Sequence, residues 1–265
     1  MKTVEMKCAR MPQWEALCGY VQGKDCAESI RKVQLPIFLN IAPVLSVCSR
    51  SDPNLEKCIM NVVDGIRQNV IDANYGDGRQ APKFDPIYFD RMEINNGAGF
   101  RLVLSNVTIR GTGGFVIKKI RSDLAAKKFD IISIIPKMSI VGQYDLSMNI
   151  LLLRAAGKGD FRLQLNDTIA SLKVQYRLAP EGDKNFVRFD PIDLKLKFPK
   201  AKFYFTGLFN GDPALEEFGN QAINDNPNLI LDEVKPSFEK NLGRVFTDIS
   251  NSVVEGAEEF ELLPP

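Results

Sequence analysis

The stretch MSIVGQYDLSMNILLL, residues 138–153, determines how this chain must fold. Apolar and polar residues alternate from Tyr144 to Ile150, which is the pattern of a β-strand with one buried face. Similar segments follow one another from about residue 89 to residue 209. A strand of this length exceeds the usual size, so we expect it to twist and curl around another part of the molecule.

Turn-forming residues separate these β segments. Glycine and proline end strands because they supply turn conformations or remove a backbone donor. Short loops between long alternating strands therefore predict an antiparallel meander. The predicted turns are Thr112-Gly113-Gly114, Pro136-Lys137, Gly157-Lys158-Gly159, Pro180-Glu181-Gly182-Asp183 and Pro199-Lys200.

Helical patterns flank the strands on both sides. Asp52 offers an N-cap oxygen, Pro53 suits the first helical position, and apolar residues then recur to Val70 over about five turns. A second apolar stripe runs through residues 215–253. The predicted fold class is α+β, a long C-terminal helix wrapped by a strongly curved antiparallel sheet in an elongated roll. Periodicity does not tell whether the space between helix and sheet is solid or hollow.

Two prolines interrupt the second helical pattern. Pro227 and Pro236 each remove a backbone donor and clash with the preceding turn. We expect them to bend or break the helix.

The chain before these elements reads as an appendage, residues 1–42, followed by a single domain, residues 43–265. Within it, a basic pair precedes the uncharged run 33–47, which proline interrupts and which is too short to span a bilayer, since that takes about 20 apolar residues. The run resembles a secretory signal placed far from Met1. It is either such a signal, with the first residues an artefact of the gene model, or an early buried strand.

Composition excludes several classes of function. The 265 residues include no histidine, which is the usual general base and neutral metal ligand, so triads and zinc hydrolases are disfavoured. The 34 basic and 33 acidic residues leave a net charge of +1 and no electrostatic reason to bind nucleic acid or an anionic membrane. We expect no cofactor and no metal. We also expect no catalysis, because no nucleophile lies in a recognisable elbow. A lipid esterase that uses serine, lysine or paired carboxylates is the less favoured alternative.

Two separated motifs resemble one known family. The first is VCSRSDPNLEKC, residues 47–58, and the second is GLFNGDPALEEFGNQAINDNPNLILDEVKPSFEKNLGRVF, residues 207–246. Together they are similar to the insect takeout and juvenile-hormone-binding proteins of the tubular lipid-binding superfamily. The resemblance covers about residues 43–264, and the absence of cysteine after Cys58 places it on the takeout side.

The resemblance implies a function. Members are secreted carriers of small hydrophobic ligands such as terpenoids or fatty acids, held in an internal tunnel between helix and sheet. It also implies roles in feeding, circadian or chemosensory physiology. We expect the partner to be such a ligand and the protein to be a monomer without stable membrane insertion. A non-catalytic interaction protein with a solid core is the rival interpretation.

Particular residues carry these expectations. For every tunnel candidate, core packing is an equal alternative, and residues 74–88 are the predicted flexible mouth. The predicted tunnel lining is Val62, Ile66, Phe218, Ala222, Phe238, Leu242 and Phe246.

Cys48 and Cys58 are predicted to form a disulfide, with free buried thiols as the alternative. A zinc site would need more ligands than the chain supplies, and a redox motif would space its cysteines by two residues. A disulfide persists in an oxidising compartment, which agrees with secretion. Asn106 and Asn166 begin Asn-x-Thr triplets and are the candidate glycosylation sites.

Overall fold

The computed structural model of the chain describes residues 45–76, 78–95, 99–150 and 153–265. They fall within one compact unit, residues 40–265. The predicted appendage 1–42 and most of the signal-like run 33–47 lie outside the described residues.

Helices precede and follow an antiparallel sheet, as the sequence predicts. The helices are α1 (Leu55–Gly65), α2 (Arg67–Asp72), α3 (Pro213–Asp225), α4 (Asn228–Val253) and α5 (Glu259–Leu262). The strands are β1 (Ile87–Asn95), β2 (Phe100–Arg110), β3 (Val116–Asp123), β4 (Lys128–Ile150), β5 (Leu153–Glu181), β6 (Lys184–Phe189), β7 (Asp193–Lys197) and β8 (Lys200–Phe205). The predicted α+β class, a curled antiparallel sheet with helices, is confirmed.

Two long strands organise the sheet. β4 has 23 residues and β5 has 29, and they pair from Lys128 opposite Gln175 to Ile150 opposite Leu153. β3 and β2 pair with successive stretches of the other edge of β4. In the same way, β6, β7 and β8 lie in succession along the other edge of β5. β1 completes the order beyond β2. Every other strand except β1, which pairs with β2, therefore pairs directly with this central pair.

Two of the predicted turns are wrong, because their residues lie inside strands. Pro136 lies within β4, where it needs no donor on the outer edge, since pairing with β3 ends at Ile134 and pairing with β2 begins at Ser139. Gly157 and Gly159 lie within β5, and a Cβ at either would collide with the carbonyl oxygen of Gly207 or Thr206. These glycines permit a close backbone approach.

The first helix begins later than the sequence predicts and is interrupted. Asp52 accepts a hydrogen bond from the Asn54 amide at 2.7 Å, a local turn that precedes α1. The helix then breaks at Ile66 before α2 resumes.

The two helix-breaking prolines have different outcomes. Pro227 separates α3 from α4, since the residue before it, Asn226, is forced out of helical geometry (φ −136°, ψ 67°). Pro236 is exposed, and α4 continues through it.

Side chains of α3 pair with the free edge of β8. Asn224 accepts from the Phe203 amide and donates to its carbonyl, each at 2.8 Å. Asn220 makes the same two bonds with Phe205, also at 2.8 Å. One turn earlier, Glu216 accepts from the Gly207 amide at 2.7 Å. The spacing of one helical turn matches alternate residues of the strand, so α3 acts in place of a further strand.

The same device fastens α4 to β6 and β7. Glu239 accepts from the Leu196 amide at 2.9 Å, and Thr247 from the Ile192 amide at 2.9 Å. Asn251 accepts from the Phe189 amide at 2.8 Å and donates to its carbonyl at 3.3 Å. The edge strands beside β5 are thus satisfied by helix side chains, and this fixes the helices against the curled sheet.

The apolar interior consists of two large clusters and a small one. The larger cluster packs α3 and the first half of α4 against β1, β2, β8 and the inner faces of β4 and β5. The second lies around the end of α4, with Ile66, Tyr176 and Val253 among its buried members. A third, small cluster surrounds the buried Cys48. The interior is therefore dense at one end of the sheet.

Removing one rung of the α3–β8 contacts tests this arrangement. We predict that Asn224→Ala lowers the free energy of unfolding by about 2 kcal/mol, because the Phe203 amide and carbonyl lose their partner. Urea denaturation provides the measurement. Gln221→Ala, at an exposed position on the same helix, is the control and should stay within about 0.5 kcal/mol of the unsubstituted protein. Equal stability of both variants would contradict the interpretation.

Candidate functional site

A cavity of about 370 Å³ lies among α1, α2, the end of α4, α5 and the inner face of the sheet. Alternate residues of β5 form one wall, because side chains two apart point to the same face. They are Ala170, Leu172, Val174 and Tyr176. The six residue steps from Ala170 to Tyr176 give this wall a length of about 20 Å.

Helices close the cavity on the opposite side. Val62, Ile66 and Val70 of α1, α2 and the break between them line it at helical spacing, as do Phe246 and Ile249 of α4. The volume lies at the lower end of the range for small-molecule sites, and the lining is predominantly apolar.

The predicted tunnel residues fall into two groups. Val62, Ile66 and Phe246 line the cavity. The other four are not among the lining residues: Phe238 and Leu242 are buried in the larger apolar cluster, Ala222 is half-buried and Phe218 is 61% exposed. The helical stripe contains both groups, and periodicity alone does not separate packed from cavity-facing positions. Ligand contact by any of the seven stays a prediction.

Polar groups meet at one end of the cavity. The Tyr176 hydroxyl donates to Glu259 at 2.7 Å, and the Lys127 ammonium donates to the same carboxylate oxygen at 3.0 Å. Arg50 lies 3.7 Å from the other oxygen. Two side chains of this cluster, Tyr176 and Glu259, line the cavity. Neither residue was identified from sequence. Their signal is the inward phase of β5 and a capping box that begins α5.

This environment shifts two pKa values in opposite directions. Burial, followed by the hydrogen bond to Glu259, raises the pKa of Tyr176 above its usual value. Burial alone would raise the pKa of Glu259, but the hydrogen bonds from Tyr176 and Lys127 outweigh it and the pKa is lowered. At neutral pH the pair is therefore a neutral phenol bound to a carboxylate.

The opposite end of the cavity is formed by three phenylalanine rings. The ring centroids of Phe84 and Phe115 lie 5.6 Å apart, and those of Phe84 and Phe246 lie 5.3 Å apart. The Arg67 guanidinium lies 4.0 Å from the Phe115 centroid and donates to the carbonyl oxygens of Phe115 and Gly113 at 2.7 and 2.8 Å.

The predicted mouth, residues 74–88, contributes Phe84 to this inner end of the cavity. Asp85 accepts from the Gly111 and Gly113 amides, which ties the segment to the loop after β2. Among the cavity-lining residues that the structure describes, Ser46 is the exposed one. Mobility of residues 74–88 stays a prediction.

Cys48 and Cys58 form the predicted disulfide, with a Cα–Cα distance of 6.0 Å. It joins the segment that precedes α1 to α1 itself. The next residues also hold the chain's last ones: the Arg50 amide donates to the Pro264 carbonyl at 2.7 Å, and the Arg50 side chain donates to the Leu263 carbonyl at 3.1 Å. Leu263 lines the cavity, so these contacts close its wall.

The candidate glycosylation sites lie on the outside of the sheet. Asn106 is exposed and is bonded to Tyr88 and Gln143, and Asn166 is exposed on β5. Thr168, the third residue of the second triplet, is fully buried. Modification of either asparagine stays a prediction.

Two features are absent from the described residues. No cluster of three or more acidic, cysteine or histidine side chains arranged to hold a metal occurs among them. None of the helices in the described ranges is long and apolar enough to cross a membrane.

Comparison with known proteins identifies the family. The family model for haemolymph juvenile hormone binding protein (JHBP) matches residues 33–264, and the chain belongs to this family. No curated protein matched the sequence.

A solved structure shows the same fold. The crystal structure of Epiphyas postvittana Takeout 1 aligns with a TM-score of 0.70 and 20% identity, over 83% of this chain and 100% of that chain. At this identity the similarity establishes the fold. A crystal structure of lipopolysaccharide binding protein aligns with a TM-score of 0.38 and 11% identity, over 78% of this chain and 40% of that one.

Breaking the disulfide should loosen the segment that Cys48 anchors to α1. We predict that the double substitution Cys48→Ala and Cys58→Ala lowers the free energy of unfolding by about 2–3 kcal/mol, as expected for a loop of this length. Urea denaturation measures the loss, and reduction of the unsubstituted protein should reproduce it. A peptide map without the cross-link, or no loss on reduction, would contradict the assignment.

Proposed function

We propose that the protein is a carrier of a small hydrophobic ligand, which it binds in the cavity between the helices and the curled sheet. The observation that carries this proposal is an apolar cavity of about 370 Å³ between the helices and the inner face of the sheet. Membership of a family described by juvenile hormone binding supports a terpenoid or fatty-acid-sized ligand. The cavity also disfavours the rival interpretation, an interaction protein with a solid core.

Binding would be driven by transfer of the ligand from water to this lining. Burial of about 300 Å² of apolar surface contributes roughly 7 kcal/mol before the cost of association. The described lining offers few polar partners, so a ligand with one polar end and an apolar body fits best. Its polar end would lie near Tyr176 and Glu259, where the charged groups of Lys127 and Arg50 are close.

Catalysis is not part of the proposal. The carboxylate that lines the cavity, Glu259, is held by Tyr176 and Lys127, and its lowered pKa makes it a poor general base. A carrier needs no reactive group. Hydrolysis of a model ester by the purified protein would favour the esterase alternative.

Secretion and a monomeric state complete the proposal. A disulfide is maintained in oxidising compartments, and the family description refers to haemolymph. The feeding, circadian or chemosensory role implied by the resemblance to takeout proteins stays an expectation.

Blocking the cavity tests the carrier function. We predict saturable binding of a fluorescent fatty acid, and at least a tenfold loss in the variant Val62→Trp, because the indole fills space that the ligand needs. Fluorescence titration of delipidated protein provides the measurement. Phe218→Ala, at an exposed position outside the cavity, should bind as the unsubstituted protein does.

Leu242→Ala separates binding from stability. Leu242 is buried in the larger cluster and does not line the cavity, so its truncation should destabilise the protein with less than a threefold change in affinity. No saturable binding by delipidated protein would contradict the carrier function.

Expression in insect cells tests secretion and glycosylation together. We predict that the protein accumulates in the medium and that N-glycosidase treatment lowers its mass. Asn106→Gln and Asn166→Gln should each remove one glycan step. Retention inside the cells with reduced cysteines would contradict secretion, and an unchanged mass would contradict glycosylation alone.

A further inference from the structure

Aromatic rings form the inner end of the cavity, which is the end opposite the polar cluster. Phe84, Phe115 and Phe246 all line it, and each ring contacts a neighbouring ring of the three. Phe115 and Phe246 also pack against the larger apolar cluster, in which Ile135 and Ala170 are buried. Phe115 and Phe246 therefore lie where the cavity meets the larger apolar cluster.

Hydrogen bonds hold this floor in place. Thr112 donates through its hydroxyl to the Phe84 carbonyl, and Asp85 accepts from the Gly113 amide at 2.9 Å. Arg67 donates to the Phe115 carbonyl and covers the ring of that residue. The loops that carry Phe84 and Phe115 are thus locked to each other, and an entering ligand cannot displace these loops without breaking this network.

The opposite end has a different character. Tyr176, Glu259 and Lys127 form the polar cluster there. Between the polar cluster and the aromatic floor the wall of β5 runs from Tyr176 to Ala170. The geometry therefore provides one end with a polar cluster, an apolar wall along β5, and one end closed by aromatic rings, where the Arg67 guanidinium lies over Phe115.

We propose that the Phe84, Phe115 and Phe246 floor sets the maximum length of ligand, and that the ligands are single-chain amphiphiles whose apolar end meets these rings. This inference rests on the proposed carrier function and adds the residues that determine specificity. Each methylene that enters the cavity should raise affinity about fourfold. A methylene that would have to pass the floor should raise it no further.

A fatty-acid series tests the floor. Laurate, myristate, palmitate, stearate, arachidate and behenate would each compete with a fluorescent fatty acid for delipidated protein. We expect affinity to rise with chain length and then to level off or fall. In Phe246→Ala, removal of one ring should move this limit to a longer acid, and the first acid beyond the former limit should gain about tenfold or more in affinity.

Phe189→Ala is the matched control. Phe189 also lines the cavity, but at the polar end, with its ring centroid 6.2 Å from that of Tyr176. It loses the same side-chain volume, so it should change affinity without moving the length limit. An equal shift in both variants, or none in Phe246→Ala, would overturn the floor assignment.

Two further variants protect the test against misfolding. Phe246→Leu should give a smaller shift in the same direction with a milder loss of stability. Ala170→Val narrows the inner end and should move the limit to a shorter acid. If the unsubstituted protein binds no member of the series and no fluorescent probe, the carrier function itself fails. If it binds them with a limit that none of these variants moves, only the floor assignment fails.

Discussion

The structure depends on hydrogen bonds between helix side chains and the free edge of the sheet. An exposed strand edge attracts other chains, and a buried edge without partners costs free energy for every amide and carbonyl. Here Asn220 and Asn224 bond both backbone groups of alternate β8 residues, and Asn251 does the same on β6. Because these bonds are directional, they set where the helices lie along the sheet, and apolar packing then fills the space.

The cavity follows from that placement. α3 and the first half of α4 lie on large apolar side chains, so the interior there is solid. Toward the end of α4 the opposite wall is provided by α1, α2 and α5, which are short elements joined by the Cys48–Cys58 disulfide and by contacts of Arg50. These elements enclose space without filling it. The end that holds the proposed ligand cavity is therefore the one built from short, cross-linked pieces.

Sequence reasoning predicted the sheet, the helices and the disulfide but not the assignment of single residues. Alternation shows that a segment is a strand, yet Gly157, Gly159 and Pro136 also carry turn chemistry, and only the tertiary contacts of each reveal that they lie in strands. Likewise Leu242 and Phe246 share one helical stripe, and the difference between core and cavity lies in the facing element. The polar cluster around Tyr176 and Glu259 joins residues 83 apart, which no local pattern reports.

The proposed carrier function requires that the cavity hold a hydrophobic ligand in the natural protein. Native mass spectrometry of protein purified from its source without delipidation, followed by solvent extraction, tests this most directly. If the protein is a carrier, we expect a mass excess that corresponds to one bound single-chain lipid or terpenoid. Denaturation should release this ligand, and the solvent extract should contain it. A fully ligand-free mass, together with failure of the same sample to take up an added fatty acid, would contradict it.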